Sequence, residues 1–336
     1  MLPMAEPLLP WQQTQWQRLN IAREHGRLPH ALLLTGPAGL GKFEFARLLG
    51  NSLLCEAPGV HNIPCVICKQ CRLAMADGHP DITDISPQEA GKAIKVDAIR
   101  ELVNRGMMSV AETRYRVFII NPAEAMGVAA ANALLKTLEE PVARTLLILI
   151  SASPGRLLAT IKSRCQQLAF AVPGAALAHA WLSQQLGEQG EKAADLLQLA
   201  RGAPLLARQM AEGDELECYN QLLKQFLLLA GSRAEPVILA EQWHKQQDIS
   251  LLLNYMKRWL IDIILAGNGA GADGGSPSDA HRDLQSLGKR LDLRAIHNLL
   301  DSCFETERRL ANNINPQLAL EQLLLRWVHV NKHGVT

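Results

Sequence analysis

The chain has 336 residues and a formal net charge of +1 at pH 7. This length allows two or three domains. The near-neutral charge excludes a global positive field of the kind that attracts nucleic acid. Any contact with DNA would therefore need a local basic patch or partner chains. No run reaches about 18 uninterrupted apolar residues, so we expect no membrane-spanning helix. The first residues, MLPMAEPLLPWQQ, lack the basic flank and long apolar run of a signal peptide. We therefore expect a cytoplasmic protein.

The first predicted strand, 30–36, runs straight into a glycine-rich loop, GPAGLGKF at 36–43, and a helix over 43–54. The pattern Gly-x-x-x-x-Gly-Lys is complete in Gly36, Gly41 and Lys42. In a working phosphate-binding loop the backbone amides hold the phosphates, the lysine reaches the β- and γ-phosphates, and a following Ser or Thr ligates Mg²⁺. Phe43 stands where that hydroxyl should be. The loop therefore predicts a nucleotide-binding frame that has lost a metal ligand.

Four of the seven cysteines follow that helix, with the spacing Cys-x₉-Cys-x₂-Cys-x₂-Cys; they are Cys55, Cys65, Cys68 and Cys71. Four thiolates at such spacing suit tetrahedral, closed, structural Zn²⁺. An iron–sulfur cluster and free core cysteines are the alternatives, although the usual iron–sulfur run would need a further cysteine and proline soon after Cys71. His61 and His79 are nearby reserve ligands that a complete cysteine set makes unnecessary.

Further apolar runs predict strands at 81–86, 115–121 and 145–152, and Pro141 ends a predicted helix at 128–141. Strands alternating with helices are typical of a parallel α/β sheet. In an active P-loop ATPase one strand ends with Asp-Glu. The aspartate holds the water shell of the metal ion, and the glutamate polarises the attacking water. Asn121 and Pro122 stand there instead. The neighbouring glutamates are expected to be solvated rather than catalytic; they are Glu124, Glu139 and Glu140.

After about residue 170 the pattern becomes helical. Small helices are predicted over 178–211, and Leu-rich helices from about 215 onward, interrupted by GNGAGADGGSPSD at 267–279, which we interpret as a mobile loop. The expected domains are thus an α/β P-loop domain over 1–170 with the cysteine module at 55–71 inserted in it, a small helical domain over 171–212, and a helical domain over 213–336.

These motifs, in this order, resemble the AAA+ clamp-loader subunits of bacterial DNA polymerase III. The resemblance rests on GPAGLGK, the four-cysteine insertion, GHPDITDISP, NPAEAMGVAAANALLKTLEEP and ATIKSRC, and it is specific over about 28–170. Farther on, NINPQLALEQLLLRW resembles the last collar helix of the family. The resemblance implies an AAA+ P-loop domain, then a small helical lid, then an all-α collar that mediates oligomerisation, with a structural zinc module. It also implies the subunit type whose own ATP site is non-functional. This agrees with the two departures from an active site, Phe43 in the glycine-rich loop and Asn121-Pro122 at the strand end.

The resemblance also gives a role to Arg164, in ATIKSRC at 159–165. It implies an arginine finger that reaches the γ-phosphate on a neighbouring subunit, where a guanidinium stabilises the charge of the transferred phosphoryl group. On spacing alone, a surface arginine at a helix end is the alternative. In the lid stretch 200–209, Leu205 falls where the family has an arginine that touches ATP, with Arg201 and Arg208 as competing positions.

The resemblance implies a non-hydrolysing, rigid subunit of a hetero-pentameric ring with γ/τ and δ subunits, which helps load the sliding clamp onto primer-template DNA. Gly36, Gly41 and Lys42 would form a vestigial phosphate loop, and Arg164 would act in trans. The alternative is an active motor ATPase with an atypical metal site, in which a residue such as Glu124 replaces the lost ligand.

Overall fold

The structure is a computed structural model that describes residues 8–76, 78–89, 91–107, 115–231, 234–269, 279–310 and 314–333. The chain divides into two compact units. The first comprises Met1–Trp181 and Ala200–Ala207, and the second comprises Leu182–Leu199 and Arg208–Thr336. The division into three domains expected from the sequence stays a prediction.

The first unit is built on a five-stranded parallel sheet, which confirms the predicted fold class. The strands are β1 (Ala31–Thr35), β2 (Ile82–Ile85), β3 (Arg116–Ile120), β4 (Thr145–Ser151) and β5 (Gln166–Ala169), in the spatial order β2-β3-β4-β1-β5. Four of them are the strands expected from the sequence. β5 was not predicted, and it extends the sheet beyond β1, to which it pairs in parallel.

One helix precedes β1, and further helices lie between consecutive strands. They are α1 (Gln13–Glu24), α2 (Lys42–Leu54), α3 (Lys69–Met75), α4 (Val96–Met107), α5 (Val128–Glu139) and α6 (Ala159–Lys162). β1 and β4 are buried along almost their whole length, as expected of central strands covered on both faces. α4, α5 and α6 supply apolar side chains to a core on one face of the sheet, with Ile99, Leu134 and Ile161 fully buried.

The remaining helices are α7 (Ala175–Leu186), α8 (Ala193–Leu199), α9 (Pro204–Ala211), α10 (Glu215–Ala230), α11 (Pro236–Gln246), α12 (Ile249–Gly267), α13 (Asp279–Gly288), α14 (Leu293–Leu310) and α15 (Pro316–His333). The helix-rich C-terminal region was predicted. Most of the loop expected at 267–279 lies outside the described residues, and α12 continues to Gly267. In the part of the chain that is described, no helix is both long and apolar enough to cross a membrane.

An aromatic cluster lies within the largely aliphatic core of the second unit. Trp259 packs against Phe226 and Tyr219, with ring centroids 4.8 and 5.8 Å away, and Trp327 stacks on Phe226 at 4.3 Å. The buried Arg258 donates to the carbonyl oxygen of Leu199 and lies 5.5 Å from the centroid of the Tyr219 ring. α8 is therefore joined to α12 by a charged hydrogen bond as well as by apolar contact.

Candidate functional site

The glycine-rich loop joins β1 to α2, and two of its glycines have no room for a side chain. Gly36 has a φ of +136°, and a Cβ at this residue would lie 2.1 Å from the carbonyl oxygen of Phe170. Gly41 precedes α2 with a φ of +77°, and its Cβ would lie 2.4 Å from Cδ1 of Leu9. Only glycine adopts such backbone angles at little cost. The loop retained in the sequence is therefore also retained as a backbone shape.

Lys42 begins α2, and its side chain bonds to the loop itself. Nζ donates to the carbonyl oxygens of Gly36 and Pro37, at 2.7 and 2.5 Å. Burial lowers the pKa of Lys42, and the carboxylates of Glu124 and Glu44 oppose that effect. The ammonium group that would face phosphate in a working loop is held here by protein oxygens.

Two other segments of the first unit bond to the carbonyl groups of this loop. Gln12 Nε2 donates to the carbonyl oxygens of Leu40 and Gly41, at 2.9 and 2.8 Å. The backbone N–H of Leu205, at the start of α9, donates to the carbonyl oxygen of Gly39 at 3.0 Å. Leu205, the residue aligned by resemblance with an ATP-contacting arginine, thus lies beside the loop and brings an apolar side chain there.

The residues at the expected metal positions carry no anionic ligand. Phe43 is the second residue of α2, and Asn121 and Pro122 follow the carboxyl end of β3. The backbone N–H of Asn121 donates to the carbonyl oxygen of Ile85 at 2.9 Å. A phenyl ring and a pyrrolidine ring cannot ligate Mg²⁺, which prefers carboxylate oxygen and water.

Glu124 is partly buried, so the expectation that this glutamate would be a solvated helix residue is wrong. Its Oε1 accepts hydrogen bonds from the backbone N–H groups of Ala152 and Ser153, at 3.0 and 3.1 Å, just beyond β4. Its Oε2 is shielded from solvent and has no hydrogen-bond partner among the described residues. Because its charge acts on Lys42, the site contains an internal anion beside the loop lysine.

The four cysteines of the insertion come together, as the spacing predicted. The sulfur atoms of Cys55, Cys65, Cys68 and Cys71 all lie within 4.8 Å of one another. Backbone N–H groups point at three of them: Cys65 N is 3.3 Å from Cys55 Sγ, Cys68 N is 3.4 Å from Cys65 Sγ, and Cys71 N is 3.4 Å from Cys68 Sγ. Val66 turns the chain between two cysteines with a φ of +57°.

This donor set fits Zn²⁺. At a Zn–S distance of about 2.3 Å, a tetrahedral ion needs sulfur atoms about 3.8 Å apart, and the observed spread allows that. Burial raises the pKa of Cys71 and of Cys55. For Cys68, burial also acts upward but is outweighed by hydrogen bonds, including those from the backbone of Cys71 and Glu56, which lower its pKa to about 6. A bound cation would favour the thiolate form of all four.

A series of hydrogen-bonded polar side chains lies next to the cysteine cluster; Gln70 and His79 in it are buried, and Glu56 is exposed. The backbone N–H of Asp81 donates to His79 Nδ1 at 3.0 Å, which fixes the proton of the neutral ring on Nε2. His79 Nε2 lies 3.0 Å from Gln70 Oε1, and Gln70 Nε2 donates to Glu56 Oε1 at 3.0 Å. We name this series the Glu56–Gln70–His79 chain. It joins the residue after Cys55 to α3 and to the approach to β2.

Arg164 lies just after α6, against the end of α5. Its Nε and Nη2 lie 2.8 and 2.5 Å from Glu139 Oε1, and Nη1 donates to the carbonyl oxygen of Thr160 at 3.0 Å. The side chains of Arg164 and Glu139 are 35% and 51% exposed. Glu139 is thus the ion-pair partner of Arg164 although both side chains are partly exposed, and the sequence did not indicate this pair. The structure thus brings together the loop residues with Glu124, and the four cysteines with each other.

Two families of known proteins match this chain, one in its N-terminal half and one in its C-terminal half. The family described as "DNA polymerase III, delta subunit" matches residues 11–173, and "DNA polymerase III, delta subunit, C terminal" matches residues 213–329. The DNA polymerase III subunit delta′ of Pseudomonas aeruginosa is 36% identical over 97% of this chain and 99% of its own length.

The chain belongs to the DNA polymerase III subunit delta′ family. The Escherichia coli delta′ subunit is 30% identical over 97% of both chains. Over 45% of this chain, the DNA polymerase III subunit gamma/tau of Mycobacterium tuberculosis is 38% identical, covering 26% of that protein. Among solved structures, a gamma-subunit-related protein of Thermotoga maritima covers 94% of this chain and 99% of its own, with 19% identity and a TM-score of 0.46. The similarity to delta′ subunits thus extends over nearly the whole chain.

Proposed function

We propose that this clamp-loader subunit does not hydrolyse ATP itself and supplies Arg164 to the ATP site of a neighbouring subunit. The observation that carries the first part is the chemistry around Lys42. Its ammonium group bonds to Gly36 and Pro37 and lies in the field of Glu124. Phe43, Asn121 and Pro122 stand where an active site has the residues that ligate Mg²⁺ and activate the attacking water. An active site needs Mg²⁺ held beside the phosphates and a positioned water, and these residue types provide neither.

In this proposal Cys55, Cys65, Cys68 and Cys71 hold one structural Zn²⁺. The supporting observation is the closed group of four sulfur atoms, which leaves no ligand position for substrate. When bound, the ion supplies a cross-link between the end of α2 and α3, and no chemistry on a substrate. The vestigial loop of Gly36, Gly41 and Lys42 serves as a rigid part of the fold.

The partners follow from the family. We propose a hetero-pentameric ring with γ/τ and δ subunits in the cytoplasm, in which the helices from about 215 onward form a collar that mediates oligomerisation. The ring would load the sliding clamp onto primer-template DNA. Several large side chains on these helices are solvent-exposed in the isolated chain, as a subunit contact requires; they include Leu228, Leu265, Leu318 and Leu325.

The trans role is tested with Arg164→Ala in the assembled ring. We expect the ring to assemble and its DNA-stimulated ATPase to fall at the one site that receives this arginine, because such a residue is worth about 10³–10⁵ in rate. Arg164→Lys should not restore the rate, since a lysine lacks the planar fork that binds two phosphate oxygens. Arg156→Ala is the matched control, because Arg156 is an exposed arginine nearby in sequence. Normal assembly together with unchanged hydrolysis would contradict the role given to Arg164.

The motor-ATPase alternative is tested on the purified chain. We expect no Mg²⁺-dependent ATP hydrolysis above background, and no change in Lys42→Ala. Because Glu124 Oε1 is already bonded to two backbone N–H groups, it is a poor replacement for the missing metal ligand. Turnover that is abolished in Lys42→Ala would show that the loop is active and would refute the non-hydrolysing proposal.

A further inference from the structure

The setting of Arg164 points to a second residue in the proposed trans site. A residue that stabilises a transition state in another subunit has to be held in place before the reaction, because reorganisation during the reaction removes its advantage. Arginine has a long side chain with many rotamers. At the end of a helix only four residues long, α6, something outside that helix has to restrict it.

Glu139 meets this requirement. Its Oε1 engages Nε and Nη2 of Arg164 at 2.8 and 2.5 Å, while the carbonyl oxygen of Thr160 engages Nη1 at 3.0 Å. One anchor is the last residue of α5 and the other lies within α6. The guanidinium is thereby held from two elements, which fixes its plane as well as its position.

The same contacts leave donors for a phosphate. A guanidinium has five N–H groups, and the three bonds of 3.0 Å or less use three of them. Nη1 also lies 3.4 Å from Ser163 Oγ, a long contact. Glu139 occupies the side of the guanidinium formed by Nε and Nη2. By this count one N–H remains on Nη2, and the second N–H of Nη1 has only the long contact with Ser163 Oγ. One N–H from each of these two nitrogens can bind two phosphate oxygens.

We propose that Glu139 is a positioning residue: it orients the Arg164 guanidinium so that its Nη1–Nη2 end can bind the γ-phosphate of a nucleotide on a neighbouring subunit. This inference rests on the proposed trans role of Arg164. Glu139 itself touches neither nucleotide nor reacting water in this scheme. An ion pair exposed to this extent contributes little to folding, so removing Glu139 leaves the chain able to fold and assemble.

The test is a double-mutant cycle in the assembled ring with Glu139→Ala, Arg164→Ala and both together. We expect Glu139→Ala to lower kcat of the DNA-stimulated ATPase about 3- to 30-fold at the affected site, less than Arg164→Ala, since misplacement of a reacting group by about 1 Å can cost about 10²-fold. KM for ATP should change less than about twofold, as expected for an interaction made in the transition state. In the Arg164→Ala background, Glu139→Ala should have no further effect.

Glu140→Ala is the control, because Glu140 is an exposed carboxylate on the adjacent residue. If Glu139→Ala rings do not assemble, Glu139→Gln, which keeps the volume, is measured against the same two criteria. The inference is overturned if Arg164→Ala lowers hydrolysis and the Glu139 variant matches Glu140→Ala, raises the rate, or lowers it equally in both backgrounds. If Arg164→Ala itself has no effect, the proposed trans function fails first, and the two failures are therefore distinguishable.

Discussion

Cys68 has two roles in the cysteine cluster, since it is a proposed metal ligand and also the N-cap of α3. Its sulfur accepts the backbone N–H of Cys71, a bond that a thiolate strengthens because of its charge. Serine retains a hydrogen-bond acceptor at this position but is a poor ligand for zinc. The two roles can therefore be separated by substitution.

We expect Cys68→Ser to lower the bound zinc from about one equivalent to near zero, since a structural ion needs its complete ligand set and its binding is coupled to folding. The thermal unfolding midpoint should fall as well. Elemental analysis and calorimetry measure both. Cys218→Ser, outside the module, should keep its zinc. Wild-type protein prepared without chelator that contains almost no metal would contradict the assignment.

At the scale of single residues, the sequence predicted the metal-ligand cysteines better than the hydrogen-bond and ion-pair partners of charged side chains. Cys65, Cys68 and Cys71 lie within one short stretch, so local spacing alone brings their sulfur atoms together. The contact of Glu124 with Ala152 and Ser153 depends instead on β3 and β4 being neighbours in the sheet. No spacing within the sequence encodes that contact, and the same applies to Glu139 and Arg164.

At the scale of elements, the Glu56–Gln70–His79 chain explains how α3 is fixed to the first unit. Gln70 and His79 are only 4% and 5% exposed. A buried polar group that loses its partner destabilises the fold by about 1–3 kcal/mol. Gln70 is the central member, because its amide both accepts from His79 and donates to Glu56.

Gln70→Leu should therefore lower the free energy of unfolding by about 1–3 kcal/mol and speed the transfer of zinc to a coloured chelator, with all four cysteines intact. Urea unfolding and the rate of the colour change measure these effects. Lys69→Ala is the control, since Lys69 is the exposed preceding residue. Equal zinc-transfer rates for the two variants would mean that the polar chain does not hold the module.

β5 shows why one strand was missed. Its sequence is Gln-Gln-Leu-Ala, and only Leu168 is buried. An edge strand contacts the core on one face and has few apolar residues, so it lacks the continuous apolar run that identified β1 and β4. Its partner β1 supplies the pairing. The central strands β1 and β4 could be predicted from their apolar composition, whereas the formation of β5 depends on its pairing with β1.

At the scale of the whole molecule, stability in the second unit depends on its aromatic core. Trp327 on α15 is fully buried, stacks on Phe226 of α10, and donates its Nε1–H to the carbonyl oxygen of Phe226 at 3.0 Å. This single side chain joins the last helix to the first long helix of the unit. The Leu-rich pattern predicted the helices but not these pairings.

Trp327→Ala should lower the free energy of unfolding of the second unit by about 3–5 kcal/mol, because it removes a large buried side chain and leaves a cavity. Chemical denaturation followed by circular dichroism measures this change. Leu325→Ala, two residues earlier and 48% exposed, should stay within about 0.5 kcal/mol of the wild type. Similar values for both variants would refute the central position given to Trp327.

The pairing of Lys42 with the protein's own oxygens has a thermodynamic consequence for the proposed ring. A ligand shifts a conformational equilibrium only as far as its affinities for the two states differ. A loop lysine that is already bonded to the carbonyl oxygens of Gly36 and Pro37 has to give up these bonds before it can bind a phosphate, which reduces what the loop can gain from ATP or ADP. On the proposed function, this subunit would not change its conformation in response to nucleotide at its own loop while its neighbours exchange nucleotide, and any change in its conformation would have to be transmitted from them.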